Sequence, residues 1–202
     1  MSKLNSNYIT IPFQERPLNK IETTFILDNN EIEKIISCIK NEHLEDGLVG
    51  QKNAPNSLRK SIRECKVFWI PKTKEYLWLY KKIVDKAVLI NNKVWNFDLF
   101  SADIPIQYVE YDEEYNGHYD WNLDIGNTHN SKRKLSISIQ LSDDNEYQGG
   151  NLLFFNSTTQ LKACRKKGYM TLFPSYLLHK VNPVTRGKRK ALVLWITGPA
   201  FR

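Results

Sequence analysis

Cysteine is scarce in this chain, with three in 202 residues. Cys38, Cys65 and Cys164 lie far apart and form no C-x-x-C pair. An odd, scattered set argues against a disulfide framework or a thiolate zinc site and fits free thiols in a reducing compartment. No apolar run approaches the ~20 residues of a membrane span. The first seven residues have no apolar leader core, so the expectation is a soluble cytoplasmic protein with no membrane partner. The chain also lacks internal repeats, low-complexity tracts and the His-Glu-x-x-His signature of helical zinc hydrolases.

What is present is ordinary for a globular domain: 41% hydrophobic and 25% charged residues. Aromatics reach 12%, which suits a β-rich fold with a lined cavity. Net charge is +7, concentrated in Lys132–Lys134, Arg165–Lys167 and Arg186–Lys190. Such runs admit an acidic partner and read first as solvated loops.

Hydrophobic periodicity divides the chain. Strands are expected at Tyr8–Phe13, Thr23–Leu27 and Cys65–Ile70. A helix follows Asp28, with Ile32, Ile35, Ile36 and Ile39 on one face. A second helix spans Lys74–Ile90, its apolar side carrying Leu77, Tyr80, Ile83, Val84, Ala87 and Val88, and Asn91-Asn92 ends it. From Val94 the period shortens into strands at Val94–Leu99, Ile104–Tyr111, His118–Trp121, Lys134–Ser142, Asn151–Phe155, Gln160–Cys164, Gly168–Phe173, Leu177–Val181 and Arg189–Thr197. Short, regularly spaced strands indicate a sandwich or barrel. The fold class is therefore α+β in one domain, residues 1–202. Residues 1–93 support an all-β core over residues 94–202, with the helices covering the larger sheet.

Within that core, His118 and Asp120 stand two apart, a spacing that puts both on one face of a strand. His179 lies in an apolar strand setting and completes a candidate set of two imidazoles and a carboxylate. Such a set suits a non-heme Fe(II) centre with open positions. Arg189 follows ten residues later, across a turn with Pro183 and Gly187. A hairpin there would return its guanidinium to the same cavity, where a carboxylate could be received. The strand Leu135–Leu141 alternates strictly, so Ser136, Ser138 and Gln140 share a polar face that meets either water or a cavity.

The residues His118-x-Asp120, Arg133-Lys-Leu-Ser-x-Ser-x-Gln-Leu-Ser142, Tyr147-x-Gly149-Gly150-x-Leu152 and Gly168-x-x-x-x-Phe-Pro174 precede Leu178-His179-x-Val-x-Pro-Val-Thr-x-Gly187-x-Arg189. Together this series resembles the Fe(II)- and 2-oxoglutarate-dependent dioxygenases, on the branch of the prolyl 4-hydroxylases and PKHD-type hydroxylases. The resemblance implies a double-stranded β-helix, a jelly-roll-like barrel with helices on the major sheet. It implies His118, Asp120 and His179 as iron ligands and catalytic residues. Arg189 would bind 2-oxoglutarate, with Tyr111, Ser138 and Gln140 lining its pocket, and Tyr115 and Trp195 would stand on the substrate side. The implied activity is hydroxylation of a peptidyl residue, proline first, coupled to conversion of 2-oxoglutarate and O₂ to succinate and CO₂. Ascorbate is a candidate additional cofactor. Nucleic acid or a small molecule is the alternative substrate of the same chemistry, and a non-catalytic binding module the alternative of a different class. The loops Glu45–Ser61 and Ile125–Ser131 are expected to set substrate choice.

Overall fold

The computed structural model describes residues 17–49, 59–127, 129–156 and 159–201. The expected strand Tyr8–Phe13 lies outside them. In chain order come β1 (Glu22–Phe25), α1 (Asn29–Ile39), β2 (Glu45–Asp46), β3 (Arg63–Glu64), β4 (Lys66–Ile70), α2 (Leu77–Val94) and β5 (Ile106–Asp112). There follow β6 (His118–Asn122), β7 (Arg133–Gln140), β8 (Tyr147–Gly149), β9 (Leu152–Asn156), β10 (Thr159–Lys162), β11 (Tyr169–Pro174), β12 (His179–Val181) and β13 (Val184–Thr197).

Two antiparallel sheets result. The larger has the order β1-β11-β7-β13-β5-β4-β2, with β8 also paired to β13, and the smaller has β10-β9-β12-β6-β3. The first 93 residues are therefore more than a support, since β1, β2 and β4 are strands of the larger sheet and β3 of the smaller.

Helix α1 starts where Asp28 and Glu31 cap each other's backbone N–H at 2.9 Å, closing two of the donors that a helix start leaves open. It buries Ile32, Ile35 and Ile39, each worth roughly 1.5–3 kcal/mol of transfer. Helix α2 buries Leu79, Tyr80, Ile83, Ala87 and Asn91, while Leu77, expected inside, is exposed. Tyr80 fastens α2 to the sheet, its hydroxyl donating to the Ile70 carbonyl and accepting from the Ile106 N–H. Both helices pack with Leu135, Ile137, Ile139, Leu192 and Leu194 on the outer face of the larger sheet.

Three local expectations need correction. Asn91 does not end α2. It is buried and binds both backbone groups of Phe97, and the helix runs on to Val94. The residues after it form no strand beyond one bridge, Ser101 to Thr197. The stretch between His179 and Arg189 is no hairpin, because β12 belongs to the smaller sheet and β13 to the larger. Gly149 enforces that crossing. Its φ is +71°, and a Cβ there would stand 2.1 Å from the Pro183 carbonyl oxygen. Among the described residues no helix is long and apolar enough to cross a membrane.

Candidate active site

Between the sheets lies a second apolar cluster that includes Val67, Val109, Tyr111, Phe154, Phe173, Val181 and Ala191. Beside it opens a cavity of about 400 Å³, within the range of small-molecule sites. His179, Arg189, Tyr111, Ser138 and Trp195 line it. His118, Asp120, Tyr115 and Gln140 do not, whereas Tyr119, Asn122 and Asp124 do.

The cause is an irregularity in β6. Asn122 pairs with His179 and Tyr119 with Val181, so three steps on β6 are matched by two on β12. Such a bulge inverts the strand's alternation. Tyr119 and Asn122 both face inward, and His118 and Asp120 are left on the other side. His118 sets its ring nitrogens 2.9 Å from the Asn116 carbonyl oxygen and 3.4 Å from that of Ser61. Asp120 is exposed and takes the N–H of Trp121. The expected pair His118 and Asp120 is thus not brought to His179.

The pair brought to it is Asn122 and Asp124. His179 is buried, with its ring 4.9 Å from that of Phe173. Its Nδ1 lies 2.8 Å from the Leu177 carbonyl oxygen, an acceptor only, so Nδ1 carries a hydrogen and, in the neutral ring, Nε2 faces inward as the lone-pair nitrogen. Asp124 Oδ2 stands 3.6 Å from Nε2. Asn122 places its amide 3.3 Å from Nε2. Asp124 is held in turn: Ser136 donates to Oδ2 at 2.6 Å, and Ser175 lies 2.9 Å behind Ser136. The sequence held this signal, since Asn122-x-Asp124 repeats the spacing of His118-x-Asp120 four residues on.

On the opposite wall, Arg189 is buried and stacks over Tyr111 at 5.5 Å, and no carboxylate is paired with it among the described residues. Burial pushes the Tyr111 phenol well up, so it stays a neutral O–H. Arg133 stacks over Trp195 at 4.0 Å and donates to the Asp124 carbonyl. Arg133 Nε and Trp195 Nε1 are buried donors without acceptors among the described residues. Gln140 is spent elsewhere, donating to the Tyr147 hydroxyl and toward the Ser142 carbonyl, and Tyr115 folds back to donate to the Glu110 carbonyl. The basic runs are not simply loops. Arg133 and Arg189 turn into the cavity, and Arg165 binds the carbonyls of Asp144, Tyr147 and Gly149.

The cleft between the two antiparallel sheets thus holds an imidazole, a carboxylate and a guanidinium with no acid partner among the described residues. Residues 106–197, a little under half of the chain, match the model of the 2OG-Fe(II) oxygenase superfamily. Similar curated proteins include PKHD-type hydroxylases. That of Synechococcus sp. strain CC9605 is 38% identical over 39% of this chain and 36% of its own length. That of Herminiimonas arsenicoxydans is 32% identical over 57% of this chain and 53% of its own. The chain thus spans about half the length, or less, of these relatives. Among solved structures, a Pseudomonas putida prolyl-4-hydroxylase has a TM-score of 0.67 at 19% identity, covering 90% of this chain and 94% of that one. A Trichoplax adhaerens prolyl hydroxylase, solved with a hypoxia inducible factor peptide fragment, has 0.73 at 18%, covering 89% and 84%. These likenesses are of fold, and the fold of this chain is the double-stranded β-helix.

The family implies a bound Fe(II). The donors facing one another at Asn122, Asp124 and His179 suit a divalent ion, with one departure from the expected set of two imidazoles and a carboxylate: an amide stands in place of one imidazole. Ser136 orients the carboxylate of that set. Ser136→Ala is expected to weaken metal binding about 10- to 100-fold with the fold intact. Calorimetric titration with Mn(II) checks this, and an unchanged affinity refutes the orienting role.

Proposed function

We propose that the chain is a 2-oxoglutarate-dependent hydroxylase acting on a peptidyl residue, proline first. The observation that carries this reading is Arg189. A guanidinium buried without an acid partner is costly, and a cavity that also presents His179 and Asp124 supplies the reason to keep it: a carboxylate arrives with the cosubstrate. Arg189 would take the distal carboxylate of 2-oxoglutarate as a planar fork. Tyr111 would stand beside it as a neutral donor, and Ser138 would line the same wall. Asn122, Asp124 and His179 would hold the iron.

Bound iron would supply activation of O₂, with one oxygen going to succinate as 2-oxoglutarate loses CO₂ and the other to the substrate C–H. The chain's own part is positioning and exclusion of water. Phe173, Leu152, Val109 and Val193 give the cavity apolar walls. Leu48, Val49, Trp69 and Leu123 line it as well, as do Glu45 and Asp46, the latter paired with Lys66 at 2.6 Å. Trp69 and Trp195 approach at 6.4 Å between centroids. An apolar, aromatic lining suits a peptide segment carrying proline.

A peptide panel with and without proline, incubated with Fe(II), 2-oxoglutarate and O₂ and scored by mass spectrometry, tests this. The expected result is a gain of one oxygen on a proline peptide with matching succinate. Oxygen gain only on peptides lacking proline would refute the residue assignment, and absence of succinate would refute the activity.

A further inference from the structure

We propose that Asn122 is itself a metal ligand, so that the centre of this chain is one imidazole, one carboxylate and one amide oxygen. The inference rests on the oxygenase reading only in taking Fe(II) as the resident ion.

The orientation of the Asn122 amide follows from its neighbours. Turned one way, Nδ2 donates to the carbonyls of Asp120 at 2.9 Å and His179 at 3.2 Å, and Oδ1 sits 3.3 Å from His179 Nε2. Turned the other way, an acceptor would face two carbonyl acceptors. The first orientation therefore holds, and it fixes Oδ1 as firmly as the backbone carbonyls it hangs from. Nδ1–H is committed to the Leu177 carbonyl, so in the neutral ring Nε2 is the lone-pair nitrogen, and only an imidazolium Nε2–H could donate to Oδ1. Oδ1, Nε2 and Asp124 Oδ2 are then three electron-pair donors gathered at 3.3 and 3.6 Å around Nε2. In a closed cavity such donors repel unless a proton on Nε2 or a metal ion lies among them, and the titration below separates the two. Ligands at right angles on bonds of ~2.1 Å are about 3.0 Å apart, so a small inward movement closes the set on an ion.

His118 and Asp120 cannot replace it, since the bulge in β6 turns them away. The centre is consequently richer in oxygen and poorer in imidazole than a site with two histidines. It binds Fe(II) more weakly, and it discriminates less between Fe(II) and harder ions such as Mn(II).

The test is anaerobic titration of the whole chain with Fe(II) and, separately, Mn(II), with fold verified by circular dichroism. Asn122→Ala should lose affinity for both ions by about tenfold or more, and Asn122→His should gain about tenfold for Fe(II). The double variant His118→Ala/Asp120→Ala should bind as the native chain does. Asn122→Asp separates ligand from clip. It keeps an oxygen donor but cannot donate to the two carbonyls, so retained or tighter binding supports ligation, and loss equal to that of Asn122→Ala overturns it. Pulsed electron paramagnetic resonance of the Mn(II) forms should count one imidazole nitrogen natively and two in Asn122→His. Loss of binding in the His118/Asp120 variant overturns the assignment. So does a native chain that binds neither ion, the state in which Nε2 is protonated and donates to Asn122. Metal binding of this pattern without succinate formation would sink the hydroxylase reading and leave this one standing.

Discussion

His179→Ala is expected to leave succinate formation at background and to reduce Fe(II) affinity by about two orders of magnitude or more. His179 is the single imidazole in the cavity among the described residues, so no second nitrogen donor compensates. Its truncation also removes a buried ring packed 4.9 Å from Phe173 and 6.1 Å from Phe154, costing roughly 1–3 kcal/mol of stability. His179→Gln, closer in volume, keeps that loss from being mistaken for unfolding. Turnover and metal titration on both variants check the prediction. Native-like turnover in either, with the fold verified, would remove His179 from the site.

Arg189→Ala should raise the KM for 2-oxoglutarate by about 30-fold or more, with a smaller fall in kcat. Removing one partner of a buried, hydrogen-bonded charge pair costs roughly 2–5 kcal/mol, and each 1.36 kcal/mol is about tenfold. Arg189→Lys should recover only part of this, because an ammonium cannot match both carboxylate oxygens at once. The position is crowded as well: a Cβ at Gly150 would come within 3.2 Å of Arg189 Cδ, so the guanidinium has little freedom to find another pose. Steady-state kinetics in 2-oxoglutarate decide it, and an unaltered KM would exclude Arg189 as the carboxylate anchor.

How much of this was legible in the sequence depended on whether the signal was local. The alternation of Leu135–Leu141 set Ser136 and Ser138 on one face of β7 and the leucines and isoleucines on the other, because a two-residue period survives in any regular strand; that the polar face meets a cavity and not water was implied by the resemblance alone. The isoleucine spacing of α1 worked for the same reason. His179, Arg189, Tyr111 and Trp195 were picked out by their place in ordered motifs, and the structure sets them around one cavity. The pair beside His179 was misplaced by four residues. Counting faces along β6 assumes an unbroken period, and a bulge leaves no mark in residues 118–124. The supposed hairpin failed through topology: ten residues suffice either to turn back in one sheet or to cross to the other, and chain length alone does not choose. Asn91 misled because the residue that reads as a helix stop is here a buried clasp for the following loop.

The cavity is lined from two stretches of chain. Asn122, Asp124, His179, Arg189 and Trp195 all lie within residues 106–197, the stretch the superfamily model covers. Glu45, Asp46, Leu48, Val49 and Trp69 lie before it. The wall of one cavity is therefore built from residues on both sides of the start of that stretch.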